Sequence, residues 1–280
     1  MGAMDRTRVA TLKVPGASLH YEVRGDGPLL LIVPGMPADA GLYTVLARRL
    51  AAGWTVVTYD PRGMSRSQLD GPATDQLVEV HADDAKRVLA AVGAGPAHVL
   101  TDSVSGLAGL QLAATEPEKV RTLVAFEPPV TELLPDRDRW RAFFDDLHDT
   151  YRTEGLYPAL HMFAEGAGLG GGEPPDPDPD PETTAAMARI DQNLDRWLSH
   201  VVRPSFLGWA PDIPRLRAGP TRVVVVVGAA SAPHQVAWQA SHALAEQLGV
   251  RPVTAPGDHD AVTRRPGEFA ELLGRVLGGS

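Results

Sequence analysis

The sequence predicts an α/β protein in which a mostly parallel sheet is flanked by helices and a block of further helices is inserted late in the chain. Three observations carry this. Apolar, β-branched runs such as Leu29–Val33 and residues 223–227 read as strands buried on both faces. Helical stretches alternate with these runs, which implies crossover connections between parallel strands. From about residue 131 to 212 no strand-like run interrupts, and the pattern stays helical with frequent aromatics.

Taken in order, residues 11–24 alternate and end in Gly25-Asp26-Gly27-Pro28, read as a hairpin with a Gly/Asp turn. Leu29–Val33 is a strand closed by Pro34-Gly35. Residues 40–52 are helical and Gly53 ends them. A strand is expected over 54–59, a long helix over 74–92, a short strand over 97–100, a helix over 107–115 and a strand over Val120–Phe126. The helical block at 131–212 carries Trp140, Phe143, Phe144, Tyr151, Tyr157 and Phe163, followed by Trp197, Phe206 and Trp209. Within it, residues 166–181 combine glycines with Pro-Asp repeats, a composition that reads as a flexible insert. Helix resumes over 183–202. The α/β alternation then returns with a strand over 221–227, a helix over 233–248, a short strand over 252–255 and a closing helix over 267–277. The expected domains are therefore a core formed by 1–130 and 213–280 and a helical lid at 131–212.

The chain has 280 residues, 44% of them hydrophobic and 22% charged, which excludes disorder for most of its length. Lys and Arg total 26 against 35 Asp and Glu, a net charge of −9, and no basic run occurs. That argues against nucleic acid or an anionic membrane as partner. There is no cysteine, so disulfides, Cys–zinc sites and a cysteine nucleophile are excluded. The start has no apolar leader, and no apolar run is long enough to span a bilayer; a cytoplasmic protein is expected.

Chemistry concentrates in Thr101-Asp102-Ser103-Val104-Ser105-Gly106, where a strand runs directly into a helix. A nucleophile on such a turn stands above the carboxyl edge of the sheet, and small residues two before and two and three after let the turn close. Ser103 satisfies this spacing better than Asp102, whose tight positions would hold Leu100 and Val104. The helix that follows favours developing negative charge at its N-terminus. The plainer reading is a polar loop that caps a helix. Two further segments favour the first. Gly35 allows close approach of the Pro34-Gly35-Met36-Pro37 turn, so the backbone N–H groups of Met36 and Val104 would form a two-donor oxyanion hole. Gly257-Asp258-His259-Asp260 follows the last short strand and places His259 for general-base work.

These stretches, with Asp60-Pro61-Arg62-Gly63-Met64-Ser65 between them, resemble the α/β-hydrolase fold family over nearly the whole chain. Arg62 to Pro72 and Glu127-Pro128-Pro129 resemble, more narrowly, small actinobacterial esterases and epoxide-hydrolase-like members. The resemblance implies an α/β-hydrolase fold with an inserted helical lid and no cofactor or metal. The family's G-x-S-x-G reads T-x-S-x-S here, and the extra atoms of Thr101 and Ser105 are expected to strain the turn or to shape the pocket. The acid usually found after the strand equivalent to 221–227 is missing, because residues 228–233 hold no carboxylate. Some members, including certain haloalkane dehalogenases, carry it one strand earlier, where Glu127 stands. Ser103, Glu127 and His259 then form a triad in the expected chain order. The alternative for Glu127 is a turn cap.

The leading expectation is a serine hydrolase of an ester, lactone or thioester in an apolar small molecule. Asp102, Trp140, Phe143, Trp197 and Trp209 are expected to contact the substrate, with Asp102 a nucleophile only if the turn shifts register. Two other readings stay open at this level: a lyase or cyclase in secondary metabolism, and a non-catalytic ligand-binding relative. His81, Asp83 and Asp84 are read as helix capping and dipole compensation rather than metal ligands, and the oligomeric state is unreadable.

Overall fold

A computed structural model describes residues 7–93, 95–169 and 179–278. The strands are β1 (Arg8–Val14), β2 (Ala17–Arg24), β3 (Leu29–Val33), β4 (Thr55–Tyr59), β5 (Gln68–Leu69), β6 (Ala97–Asp102), β7 (Val120–Phe126), β8 (Arg222–Gly228) and β9 (Val253–Ala255). The helices are α1 (Thr44–Leu50), α2 (Val78–Val92), α3 (Ser105–Thr115), α4 (Arg137–Glu154), α5 (Leu156–Ala167), α6 (Pro181–His200), α7 (Pro204–Leu207), α8 (Ile213–Ala218), α9 (Val236–Leu248), α10 (Ala261–Arg264) and α11 (Pro266–Gly278).

The strands form one sheet in the order β1-β2-β4-β3-β6-β7-β8-β9, with the short β5 paired to β2. β1, β2, β4 and β5 meet antiparallel; from β4 through β9 the pairing is parallel. Alternate residues of β3 enter opposite cores. Leu31 and Val33 join the layer that holds α2, α3 and the inserted helices. Leu30 and Ile32 join the layer of α1, α10 and α11. Coverage on both faces is why β3 reads as an unbroken apolar run. The chain leaves β3 toward β4 and returns to β6 on its other side, so the turns after β3 and β6 face each other across a crevice at the carboxyl edge.

Several boundaries differ from the sequence expectation. The hairpin turns at Pro15-Gly16, not at Gly25–Pro28: Val14 pairs with Ala17, and Gly16 takes φ +78°, the left-handed position after a proline that a tight turn demands. The Gly25–Pro28 segment instead links β2 to β3. Helix α2 starts at Val78, four residues later than expected, because Leu77 is extended and the Gln76 N–H is spent on the carbonyl of His200. Residues 40–43 form a 3-10 turn before α1, and α8 and α10 are short helices that the pattern did not show.

Helices α4 to α7 lie between β7 and β8 in sequence and cover the carboxyl edge. Residues 166 and 167 of the expected flexible stretch close α5, and Asp180 caps α6 by accepting the Glu182 N–H. Residues 170–178 of that stretch lie outside the described residues. No helix among the described residues is long and apolar enough to cross a membrane.

Candidate active site

The turn after β6 places Ser103 at φ +52°, a left-handed conformation rare for a residue with a Cβ. Its surroundings hold it there. The Ser103 N–H donates to the carbonyl of Phe126 at 2.9 Å, and the Gly106 N–H donates to the Ser103 carbonyl at 2.8 Å. Gly106 is required because a Cβ there would meet Pro128 Cβ at 2.5 Å. The exposed position of the turn thus belongs to Ser103, and the shifted register that would present Asp102 as a nucleophile is not adopted.

Thr101 and Ser105 do not strain this turn. The Thr101 methyl sits over Gly109 of α3, where an added Cβ would lie 2.5 Å from it. The Ser105 hydroxyl accepts the Asp102 N–H at 3.0 Å and faces the carbonyls of Val33 at 2.8 Å and Asp102 at 2.9 Å. Both side chains are buried behind the turn and neither lines the cavity in front of it. Ser105 ties the turn to β3 and Thr101 packs against α3, and neither shapes the pocket.

Glu127 follows β7 with φ +43°. It is 1% exposed, and its N–H donates to the Val226 carbonyl at 3.0 Å. Its Oε1 accepts the Gly228 N–H at 2.9 Å from the end of β8. Its Oε2 lies 2.5 Å from His259 Nδ1. The turn-cap alternative is therefore not what the carboxylate does. A carboxylate only accepts, so Nδ1 carries the proton and Nε2 is left as an acceptor. Nε2 lies 3.0 Å from Ser103 Oγ. Burial pushes the His259 ring toward the neutral form, but the hydrogen bond and charge of Glu127, with the charges of Asp102 and Asp260, outweigh it and raise its pKa above the usual 6.5.

Across the crevice, Gly35 brings the turn after β3 against the elbow; a Cβ on it would meet the Asp102 carbonyl oxygen at 2.8 Å. Its N–H donates to the Tyr43 hydroxyl at 2.8 Å, and that hydroxyl donates to Asp102 Oδ2 at 2.6 Å. Asp102 Oδ1 has no protein partner among the described residues, and the side chain lines the cavity. Burial pushes the Asp102 carboxyl up to about 6, against the lowering influence of Tyr43 and His259. Met36 and Val104 line the same cavity. Neither backbone N–H has a protein acceptor among the described residues.

The chain is 32% identical over 273 residues to the hydrolase YraK of Bacillus subtilis (strain 168), covering 95% of both chains. It belongs to the α/β-hydrolase fold family. The family's sequence profile, described as alpha/beta hydrolase fold, matches residues 28–164 of this α/β-hydrolase. Solved structures agree on the fold. A thermophilic esterase from Thermogutta terrifontis superimposes with TM-score 0.72 at 19% identity, over 99% of this chain and 98% of that one. Epoxide hydrolase VrEH1 from Vigna radiata gives 0.74 at 18% identity, over all of both chains.

In this α/β-hydrolase the residues singled out from sequence fall into two groups. Ser103, His259, Glu127, Met36, Val104, Asp102, Trp140 and Trp197 converge on one cavity of about 310 Å³ or directly behind it. Phe143 and Trp209 do not line it. Phe143 is rotated off the face that Trp140 and Phe144 share one helical turn apart, and packs edge-on to both and against Gly166 of α5. Trp209, beyond α7, is partly buried against the core on the sheet face that the inserted helices share with α2 and α3. The sequence reading missed Tyr43, Asp260 and Thr263, which also line the cavity. His81, Asp83 and Asp84 are not caps. His81 pairs with Gln76 at 3.1 Å, Asp84 takes both arms of Arg62 at 2.6 Å, and Asp83 pairs with Lys86 and Arg87.

Proposed function

We propose that this α/β-hydrolase is a serine hydrolase that cleaves an ester, lactone or thioester bond in an apolar small molecule. One observation carries the reading: Ser103 Oγ, His259 and Glu127 form an unbroken hydrogen-bonded line of 3.0 and 2.5 Å that ends in an apolar cavity. His259 Nε2 takes the Ser103 proton as Oγ bonds to the carbonyl carbon. The carbonyl electrons move onto oxygen, where the Met36 and Val104 N–H groups receive them; one such donor is worth roughly 10²–10³ in rate. When the tetrahedral adduct collapses, His259 gives its proton to the leaving alcohol or thiol. Water then repeats the sequence on the acyl-enzyme and frees Ser103. Glu127 holds the imidazole in the required tautomer and stabilises the imidazolium.

Helices α4 to α7 act as a lid in this reading. Trp140, Phe144, Phe163 and Trp197 give the apolar wall, and Asp102 Oδ1 offers the substrate an acceptor beside the nucleophile. The test is turnover of p-nitrophenyl esters of graded acyl length, with a lactone and a phenyl thioester alongside. Hydrolysis that improves with acyl length and vanishes in Ser103→Ala supports the proposal. Turnover of any of these unaffected by Ser103→Ala overturns it.

A further inference from the structure

The turn that offers the Met36 N–H is held from outside the α/β core. Helix α6 of the inserted block lies against it and grips it on its C-terminal side. Asn193, 3% exposed, donates from Nδ2 to the Pro37 carbonyl at 2.8 Å. The same nitrogen donates to Ser65 Oγ at 2.8 Å, and Oδ1 accepts the Ser65 N–H at 2.8 Å. Both amide donors and the acceptor are thus satisfied, as burial of an amide requires. One helical turn earlier on the same face, Arg189 Nε donates to Asp39 Oδ2 at 2.6 Å. Asp39 is fully buried, and its Oδ1 takes the Gly41 N–H at 2.8 Å.

The core holds the two ends of this segment, with the Ala40 N–H donating to Asp60 Oδ1 at 3.0 Å beyond Asp39. Ala38 N–H closes it onto the Gly35 carbonyl at 2.8 Å, and the Gly35 N–H reaches Tyr43. The residue after Met36 is therefore fixed by Asn193 and the third residue after it by Arg189. Helix α6 also supplies Ile190 and Trp197 to the cavity wall. One element thus carries part of the cavity wall and a support of the turn that offers the Met36 N–H. The helix is anchored separately at its N-terminus, where Arg48 pairs with Asp180 and Glu182, both at 2.7 Å.

We propose that Asn193, seconded by Arg189, is a positioning residue that sets the oxyanion turn, so that the helix lining the cavity also aligns the Met36 N–H. This rests on the serine hydrolase reading. It differs from a purely structural role for α6, because the amide acts on a donor that matters only when charge develops on the substrate oxygen.

The experiment compares Asn193→Ala and Asn193→Asp with Arg48→Ala, which loosens the N-terminal anchor of α6 without touching the turn. Readouts are kcat and KM on a p-nitrophenyl ester and the inhibition constant of phenylboronic acid, whose tetrahedral adduct on Ser103 places an oxygen where the oxyanion forms. The expected result is a fall in kcat of about 10-fold to 100-fold in both Asn193 variants, with KM changed by less than about threefold and boronate affinity lowered in step with kcat. Asn193→Asp keeps an acceptor for the Ser65 N–H, so it reports on the lost donors even if the alanine variant folds poorly. Arg48→Ala is expected to lower Tm and to keep kcat within about twofold. Equal effects from the Asn193 and Arg48 variants, or boronate affinity unchanged when Asn193 is altered, would overturn the positioning role while leaving the triad intact. A wild-type protein that resists the boronic acid and hydrolyses esters without Ser103 would instead remove the reading beneath it.

Discussion

Ser103, Glu127 and His259 stand on three turns at the carboxyl edge of the sheet, and backbone groups hold the first two. The wall opposite stands on helices α4 to α6, and side chains hold it: aromatic rings against each other, and Arg189, Asn193, Asp180 and Glu182 against the core. Ser103 and Glu127 both occupy left-handed backbone, at φ +52° and +43°. Such strain, of order 1–3 kcal/mol per residue, persists only where neighbours over-determine it. The helices carry no such strain. The contrast teaches that the proposed triad sits where backbone hydrogen bonds fix the chain, whereas the shape of the cavity sits where side-chain exchange can alter it. The first region should answer mutation in kcat and the aromatic wall of the second in KM, while Asn193, which bonds the Pro37 carbonyl of the turn after β3, should answer with the first.

The largest expected effect is at the turns. Ser103→Ala and His259→Ala should each lower turnover by roughly 10⁴-fold or more, with Tm almost unmoved, because each removes a whole step of the same sequence. A steady-state assay beside a thermal melt checks both. A variant that loses Tm instead of turnover would break the comparison.

Glu127→Gln should cost about 10²- to 10⁴-fold in kcat. It should also move the pH profile. His259 acts as base only when neutral, so kcat/KM rises as pH climbs through its pKa, which Glu127 holds above 6.5. Without the carboxylate the burial penalty is less opposed, and the midpoint of that limb should shift to lower pH. An upward shift would contradict the assignment of Glu127.

On the helical side, Phe144→Ala should raise KM for a long-chain ester about tenfold and leave kcat within a few-fold, at a cost of roughly 3–5 kcal/mol in stability. The smallest effect belongs to Ser105→Ala. Its hydroxyl ties the turn to Val33, so the loss should be about 1–2 kcal/mol in a denaturant titration, with substrate preference unchanged because it does not face the cavity. A changed ester preference would return Ser105 to a pocket-shaping role.

The turns were the more legible region for a physical reason. A nucleophile on a strand-to-helix turn needs small residues at fixed local offsets, and that signal lies within a few residues of Ser103. Glu127 is legible only through the family resemblance, which implies an acid one strand earlier where residues 228–233 hold no carboxylate. The roles of Thr101 and Ser105 turn on packing that no local spacing announces: Gly109 of α3 makes room for one, and the Val33 carbonyl, 72 positions away, receives the other. Phe143 and Phe144 are neighbours in sequence, and only the rotation of α4 against α5 decides which one faces the cavity. Asn193 reaches Pro37 across 156 positions, and nothing local to either residue announces the contact. The hairpin turn was misplaced because Pro15-Gly16 and Gly25–Pro28 both carry turn chemistry; strand pairing chose between them.

The central claim is that Ser103 is a nucleophile activated by His259 and Glu127. Treatment with a fluorophosphonate, followed by peptide mass spectrometry, tests it most directly. A single adduct on the Ser103 peptide, absent in Ser103→Ala and formed far more slowly in His259→Ala and Glu127→Gln, is the result predicted. An active protein that takes up no label at Ser103, or labels equally fast without His259, would contradict it.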